Sequence, residues 1–139
     1  MFNKDLAKDY LSRSLKRLKA LETLFQEEAW ADVVREAQEI VELSLKGLLR
    51  HAAIDVPRVH DVSEILIAEK SSLPKELQKH IPKFTEISRT LRRDRELAFY
   101  GSEDLTPQDF YKKADAEEAL EFAKFVAETI ATVVLQKSR

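Results

Sequence analysis

Cysteine is absent from this 139-residue chain, and glycine and proline are scarce, with two and four copies. Without cysteine the chain can form no disulfide, use no thiol nucleophile and bind no metal through thiolate. So few turn-forming residues argue against an all-β chain and favour long helices. The sequence also lacks an apolar run long enough to span a bilayer, and its N-terminal residues carry charges where a signal peptide is apolar. We therefore predict a cytoplasmic helical protein with no membrane segment, metal or cofactor.

The composition limits the kinds of protein and of binding partner that remain. Hydrophobic residues make up 44% of the chain and charged residues 35%, which is typical of a globular protein and not of a disordered one. The formal net charge of -2 provides no overall attraction to nucleic acid or to an anionic membrane. Any nucleic-acid site must therefore be a local basic patch. The length fits a single domain over residues 1–139.

Apolar residues recur at helical spacing along most of the chain, and no segment alternates as a strand does. The pattern predicts helices near 3–27, 30–53, 61–70, 74–100 and 113–136. Pro74 is expected as the first residue of its helix, and Pro82 should kink or split that helix. Four to five helices with short connections are typical of an antiparallel up-down bundle, so the fold class is all-α.

The second helix has the clearest pattern. Its apolar stripe comprises Trp30, Val33, Val34, Ala37, Ile40, Val41, Ser44, Leu45, Leu48, Leu49 and Ala52. Glu42 and Lys46 stand four apart, in the order that favours a surface ion pair. Gly47 costs helix propensity in the middle of this helix, and close approach by another helix would explain it. On the first helix, leucines form the apolar side, and serine and charged residues are assigned to the other.

His60 and Asp61 lie between the second and third helices. Such a pair can orient an imidazole for catalysis, or bind a metal with further ligands. It can also fix the loop, because Asp61 followed by Glu64 has the form of a helix cap. No third partner is evident in the sequence, which favours the loop and cap.

The most informative stretch is the end of the fourth predicted helix, where Arg92, Arg93 and Arg95 precede Tyr100. Extending the apolar stripe from Ile81 and Leu91 by helical steps reaches Arg95. Arginine is rarely buried without a partner. Arg95 therefore lines a wet cleft, crosses a subunit interface, pairs with a carboxylate, or extends its head to water while its stem packs.

Several catalytic patterns are missing from the sequence. There is no glycine-rich phosphate loop, no His-x-x-x-His spacing and no serine elbow. The arginine fork suits phosphate, and a tyrosine can orient a phosphate or stack on a base. We predict a nucleotide- or RNA-binding set that consists of Lys46, Arg92, Arg93, Arg95 and Tyr100. The alternative is a basic run on a solvated helix face.

Four pieces of sequence follow one another in an order and spacing that are more informative together than any one piece is alone. They are Ala37-Gln38-Glu39 in the helix led by Trp30, then Glu42-Leu43-Ser44-Leu45-Lys46-Gly47-Leu48-Leu49, the turn His60-Asp61-Val62, and Arg95 followed after four residues by Tyr100-Gly101. This order resembles the HEPN domain family, over roughly residues 2–135. HEPN domains are all-α bundles that usually form homodimers. Many are metal-independent endoribonucleases, often toxins paired with a small nucleotidyltransferase.

The resemblance also bears on catalysis. The family motif is an arginine, four to six residues and a histidine, with two such sites meeting at the dimer cleft. Its arginine corresponds to Arg95, but Tyr100 stands in place of the histidine, and no histidine follows His80. The resemblance thus implies a nucleotide- or RNA-binding accessory homodimer, the partner of a nucleotidyltransferase. The alternatives are an endoribonuclease toxin in which Arg95 and Tyr100 are catalytic, and a pure dimerisation scaffold.

Overall fold

A computed structural model describes residues 4–56, 62–100, 106 and 110–136, with positions 93–100 described through their backbone. Its helices are α1 (Lys4–Gln26), α2 (Trp30–His51), α3 (Val62–Ala68), a 3-10 turn (Lys70–Ser72), α4 (Lys75–Gln78), α5 (Ile81–Tyr100) and α6 (Lys113–Val134). The described residues include no strand. The all-α prediction is confirmed, and α1, α2, α3 and α6 begin and end within two residues of their predicted bounds.

The predicted helix over 74–100 is divided into α4 and α5. The break falls at Lys79 and His80, so Pro82 is the second residue of α5. A proline there is inexpensive, because the amide that it lacks would have no partner in the first helical turn. Pro74 is not the first helical residue: it precedes α4 with an extended ψ of 134°.

Side-chain contacts define an up-down-up-down arrangement of the four long helices. Arg17 near the middle of α1 binds Glu36 early in α2 at 2.7 Å, as an antiparallel pair requires. The rings of Phe84, near the start of α5, and Phe125 of α6 lie 5.7 Å apart, whereas Leu91, later on α5, lies beside Asp115 and Ala119 near the start of α6, so these two helices are also antiparallel. The second helix lies at the centre, since it packs on α1, α5 and α6, whereas α5 and α6 touch each other little.

The hydrophobic core follows the predicted faces with one exception. Every predicted stripe residue of α2 is buried except Trp30 and Ala52, which are half-buried against the core. The sequence pattern predicts that Ser14 lies on the outer face of α1, and that prediction is wrong, because Ser14 is fully buried. Its hydroxyl donates to the Tyr10 carbonyl at 2.8 Å, so burial leaves no unpaired polar atom.

Gly47 marks the closest approach of α1 and α2. A Cβ added at this position would overlap Cδ2 of Leu11 and lie 3.2 Å from Cβ of Tyr10. The close approach predicted for this glycine is therefore confirmed, and the helix in contact is α1.

The connections are fixed by side chains as well as by the backbone. Phe110 and Tyr111 pack on the core ahead of α6, and Asp115 accepts a hydrogen bond from the Lys112 amide at 2.9 Å. The structure thus begins α6 at Lys113, and Asp115 lies in its first turn. The predicted loop pair His60 and Asp61 lies outside the described residues. Of the helices that are described, none combines the length and the apolar character needed to cross a membrane.

Candidate functional site

Glu42 of α2 connects two of the predicted binding residues. Its Oε1 lies 3.2 Å from Nη2 of Arg92 on α5 and 3.7 Å from Nζ of Lys46, one turn further along α2. The Glu42 side chain is 25% exposed, and those of Arg92 and Lys46 are 38% and 40% exposed. One half-buried carboxylate thus holds two partly exposed cations at the junction of α2 and α5.

The buried residue Gln38 forms a hydrogen bond with the same carboxylate. It is 4% exposed, and its Nε2 donates to Oε2 of Glu42 at 2.6 Å. The carboxylate accepts but cannot donate, so it requires the amide nitrogen of Gln38 to face it. The other amide atom, Oε1, accepts no hydrogen bond from any residue that the structure describes. Both oxygens of Glu42 are therefore engaged, which restricts its rotation.

The Glu42 contacts contribute little to stability. Ion pairs in which one partner is this exposed contribute about 0–1 kcal/mol, because water screens the charges and the long side chains lose freedom. Their effect is positional: the guanidinium of Arg92 and the ammonium of Lys46 contact the same Glu42 oxygen, which holds the two cations next to each other. Two neighbouring cations suit a phosphate, which arginine binds with a planar fork and lysine as a point charge.

The remaining predicted residues lie along the same helix as Arg92. Arg93, Arg95 and Tyr100 belong to α5, and their side chains fall outside the description. Along the helix axis, position 95 lies about 4.5 Å beyond Arg92 and position 100 about 12 Å beyond it. Lys46 and Arg92 are thus brought together, whereas the positions of the other three rest on the α5 backbone.

The sequence pattern does not assign two residues of this site, Glu42 and Gln38. The surface pair of Glu42 with Lys46 is confirmed, but the contact of Glu42 with Arg92 joins positions 50 apart. Gln38 was not assigned to the site. The available signal was its position one turn before Glu42 in α2, where a buried amide could reach the carboxylate.

No cluster of His, Asp or Glu able to hold a metal ion occurs among the residues that the structure describes. His80 lies in an aromatic cluster, with ring centroids 5.9 Å from Phe84 and 5.5 Å from Phe125. His51 lies at the opposite end of α2 from the α1–α2 connection.

Comparison with models of protein families identifies the family of this chain. The model of the HEPN domain matches residues 7–133, which include Gln38, Glu42, Lys46 and the whole of α5. Searches of curated proteins and of solved structures found no match to the chain. The family match covers most of the chain, and the all-α bundle agrees with it. The chain therefore belongs to the HEPN domain family.

Proposed function

We propose that this protein binds a nucleotide or RNA through the α2–α5 face, as the accessory homodimer of a small nucleotidyltransferase. The observation that carries the proposal is the Glu42 carboxylate, which holds Arg92 at 3.2 Å and Lys46 at 3.7 Å. Family membership supports a nucleotide- or RNA-related role. The arginines at 93 and 95 and the tyrosine at 100 extend the predicted set toward the end of α5.

In this proposal each residue has a distinct role. Arg92, Arg93, Arg95 and Lys46 bind phosphate oxygens, Tyr100 stacks on a base or orients a phosphate, and Glu42 is a positioning residue for Arg92. A dimer would set the two Arg95 side chains near a shared groove, with an interface of about 1,600 Å² or more in total. Light scattering tests the dimer, which should have twice the 16.0 kDa chain mass. A monomer at micromolar concentration contradicts it.

Catalysis of RNA cleavage is not part of the proposed role. Cleavage requires a group that accepts a proton from the ribose 2′-hydroxyl, and the pKa of an ordinary tyrosine, about 10, makes it a poor base at pH 7. The loss of such a group costs about 10²–10⁴-fold in rate. We therefore expect little turnover from the native chain, and cleavage to appear in Tyr100→His. Metal-independent cleavage by the native chain that Tyr100→Phe abolishes would instead show a catalytic tyrosine.

Binding is tested by fluorescence anisotropy with a labelled RNA oligonucleotide and with a labelled ATP, between about 50 and 200 mM salt. Arg92→Ala should weaken binding. It should also make the plot of log affinity against log salt concentration less steep, by about 0.7 for each phosphate contact that is lost from a single strand. Arg89→Ala is the matched control, since Arg89 is an exposed arginine one turn earlier on α5. Equal effects of the two substitutions would leave only unspecific charge attraction and would contradict the proposed site.

The partner is tested separately. A nucleotidyltransferase encoded beside this protein should co-purify with it when both are expressed together. Separate elution of the two proteins contradicts the partnership, while the nucleotide or RNA site would stand on the anisotropy result.

A further inference from the structure

A polar cavity of about 380 Å³ lies where the start of α1, the end of α2, α4 and the end of α6 meet. Its lining residues are Lys4, Lys8, His51, Pro74, Glu76, Val133, Val134 and Gln136. The volume is within the usual range of small-molecule sites, about 300–1,000 Å³. Neither Lys46 nor Arg92, the two proposed binding residues whose side chains the structure describes, lines it.

The charge in this cavity is mostly positive. Lys4 and Lys8 lie one turn apart on α1, so both face the end of α2, where His51 is half-buried. Burial, together with the charges of Lys4 and Lys8, lowers the pKa of His51. Arg50 adjoins His51 on α2, and the neutral Gln136 follows the end of α6. Among the lining residues that the structure describes, Glu76 of α4 is the one carboxylate. The histidine therefore lies in a positive potential that a bound anion would offset.

The other side of the cavity is apolar. Val134 is 1% exposed and belongs to the core, and Pro74 and Val133 lie beside it, half-buried. A cationic end next to an apolar wall favours a ligand with an anionic group and an apolar portion, over a bare inorganic ion.

We propose that this cavity binds an organic phosphate, with its phosphoryl group between Lys4, Lys8 and His51 and its apolar portion against Pro74 and Val133. The site is separate from the Glu42 face, because His51 lies about 140° around α2 from Lys46. Lysine suits the phosphoryl group as a compact charge with three donors, and protonated His51 donates through either ring nitrogen.

The test is an NMR titration of the His51 imidazole against pH in the intact protein, without ligand and with phenyl phosphate or inorganic phosphate. At about 10 mM phenyl phosphate, ten times a Kd of about 1 mM, the pKa of His51 should rise, because the dianion favours the imidazolium. Inorganic phosphate should act at the same residue, with lower affinity. An unchanged His51 titration with both probes overturns the proposal. Equal affinity for the two probes overturns the proposed contact of an apolar portion with Pro74 and Val133.

Matched variants separate a built site from general charge attraction. Lys8→Ala should weaken phenyl phosphate binding by about tenfold or more, the usual effect of losing a charge-assisted contact. Lys19→Ala removes the same charge from an exposed position of α1, three turns away, and should leave the affinity unchanged. An equal loss in both variants overturns the proposal.

Discussion

Replacement of Gly47 by alanine sets helix propensity against packing at a single position. In an open helix this change stabilises by about 0.8–1.0 kcal/mol. Here the new methyl group would overlap Cδ2 of Leu11 and lie 3.2 Å from Cβ of Tyr10. Leu11 is fully buried and cannot turn into solvent, and Cβ of Tyr10 moves only with the α1 backbone. The methyl group can therefore be accommodated only by strain or by a shift of α1.

The two effects differ in size. Extra methyl groups in a packed core cost about 1–3 kcal/mol, so Gly47→Ala should destabilise by about 0–2 kcal/mol after the gain in propensity. In a Leu11→Ala background the overlapping carbon is gone. The same substitution should then stabilise the protein by up to about 1 kcal/mol. The change in the free energy of unfolding that Gly47→Ala causes thus has opposite signs in the two backgrounds.

Urea unfolding, followed by far-UV circular dichroism, measures the free energy of unfolding of the native chain, both single variants and the double variant. All four are compared at one protomer concentration, because an oligomer would make stability concentration-dependent. The expected coupling between positions 11 and 47 is about 1–3 kcal/mol. Stabilisation of about 1 kcal/mol by Gly47→Ala in both backgrounds would refute the argument that α1 restricts this position.

Three further predictions concern the core and the titration of His51. Phe84→Ala should destabilise by about 3–5 kcal/mol in urea unfolding, because Phe84 is fully buried, whereas Phe125→Ala, at 36% exposure, should cost far less; similar losses would contradict the packing. Ser14→Ala should change stability by less than about 1 kcal/mol, since it gains helix propensity and the Tyr10 carbonyl keeps its helical partner; a larger loss would show that the buried hydroxyl is required. In a phosphate-free buffer, stability should fall as pH drops below about 6.5, because the pKa of His51 is lower in the folded state and the unfolded chain takes up the proton first. His51→Asn should flatten that part of the pH profile, and an unchanged profile would contradict the assignment.

The sequence was sufficient for the features that depend on local spacing. The 3.6-residue period of α2 identified its buried face, and Gly47 on that face indicated a close helix contact. Pro82 indicated a break, although its position in the first turn of α5 moved the break to Lys79 and His80. These features were predictable because each depends on residues within about two helical turns.

Features that depend on the meeting of distant segments were not predictable in the same way. The contact of Glu42 with Arg92 requires the relative placement of α2 and α5, which no local pattern contains. Ser14 was misassigned because a hydroxyl can bond to its own helix and be buried at low cost, so polarity was a poor guide. The cavity at His51 is formed by the ends of four helices and has no sequence motif.

The central position of α2 has a consequence for folding during synthesis. The α1–α2 hairpin is local, joined by the three residues 27–29, and can form early. One side of α2, however, is covered by α6, the last long helix to be made. Until α6 has been synthesised, a nascent chain therefore presents uncovered apolar surface along α2, the kind of surface that chaperones bind and that promotes aggregation. Premature termination before residue 113 should accordingly yield an insoluble or rapidly degraded product.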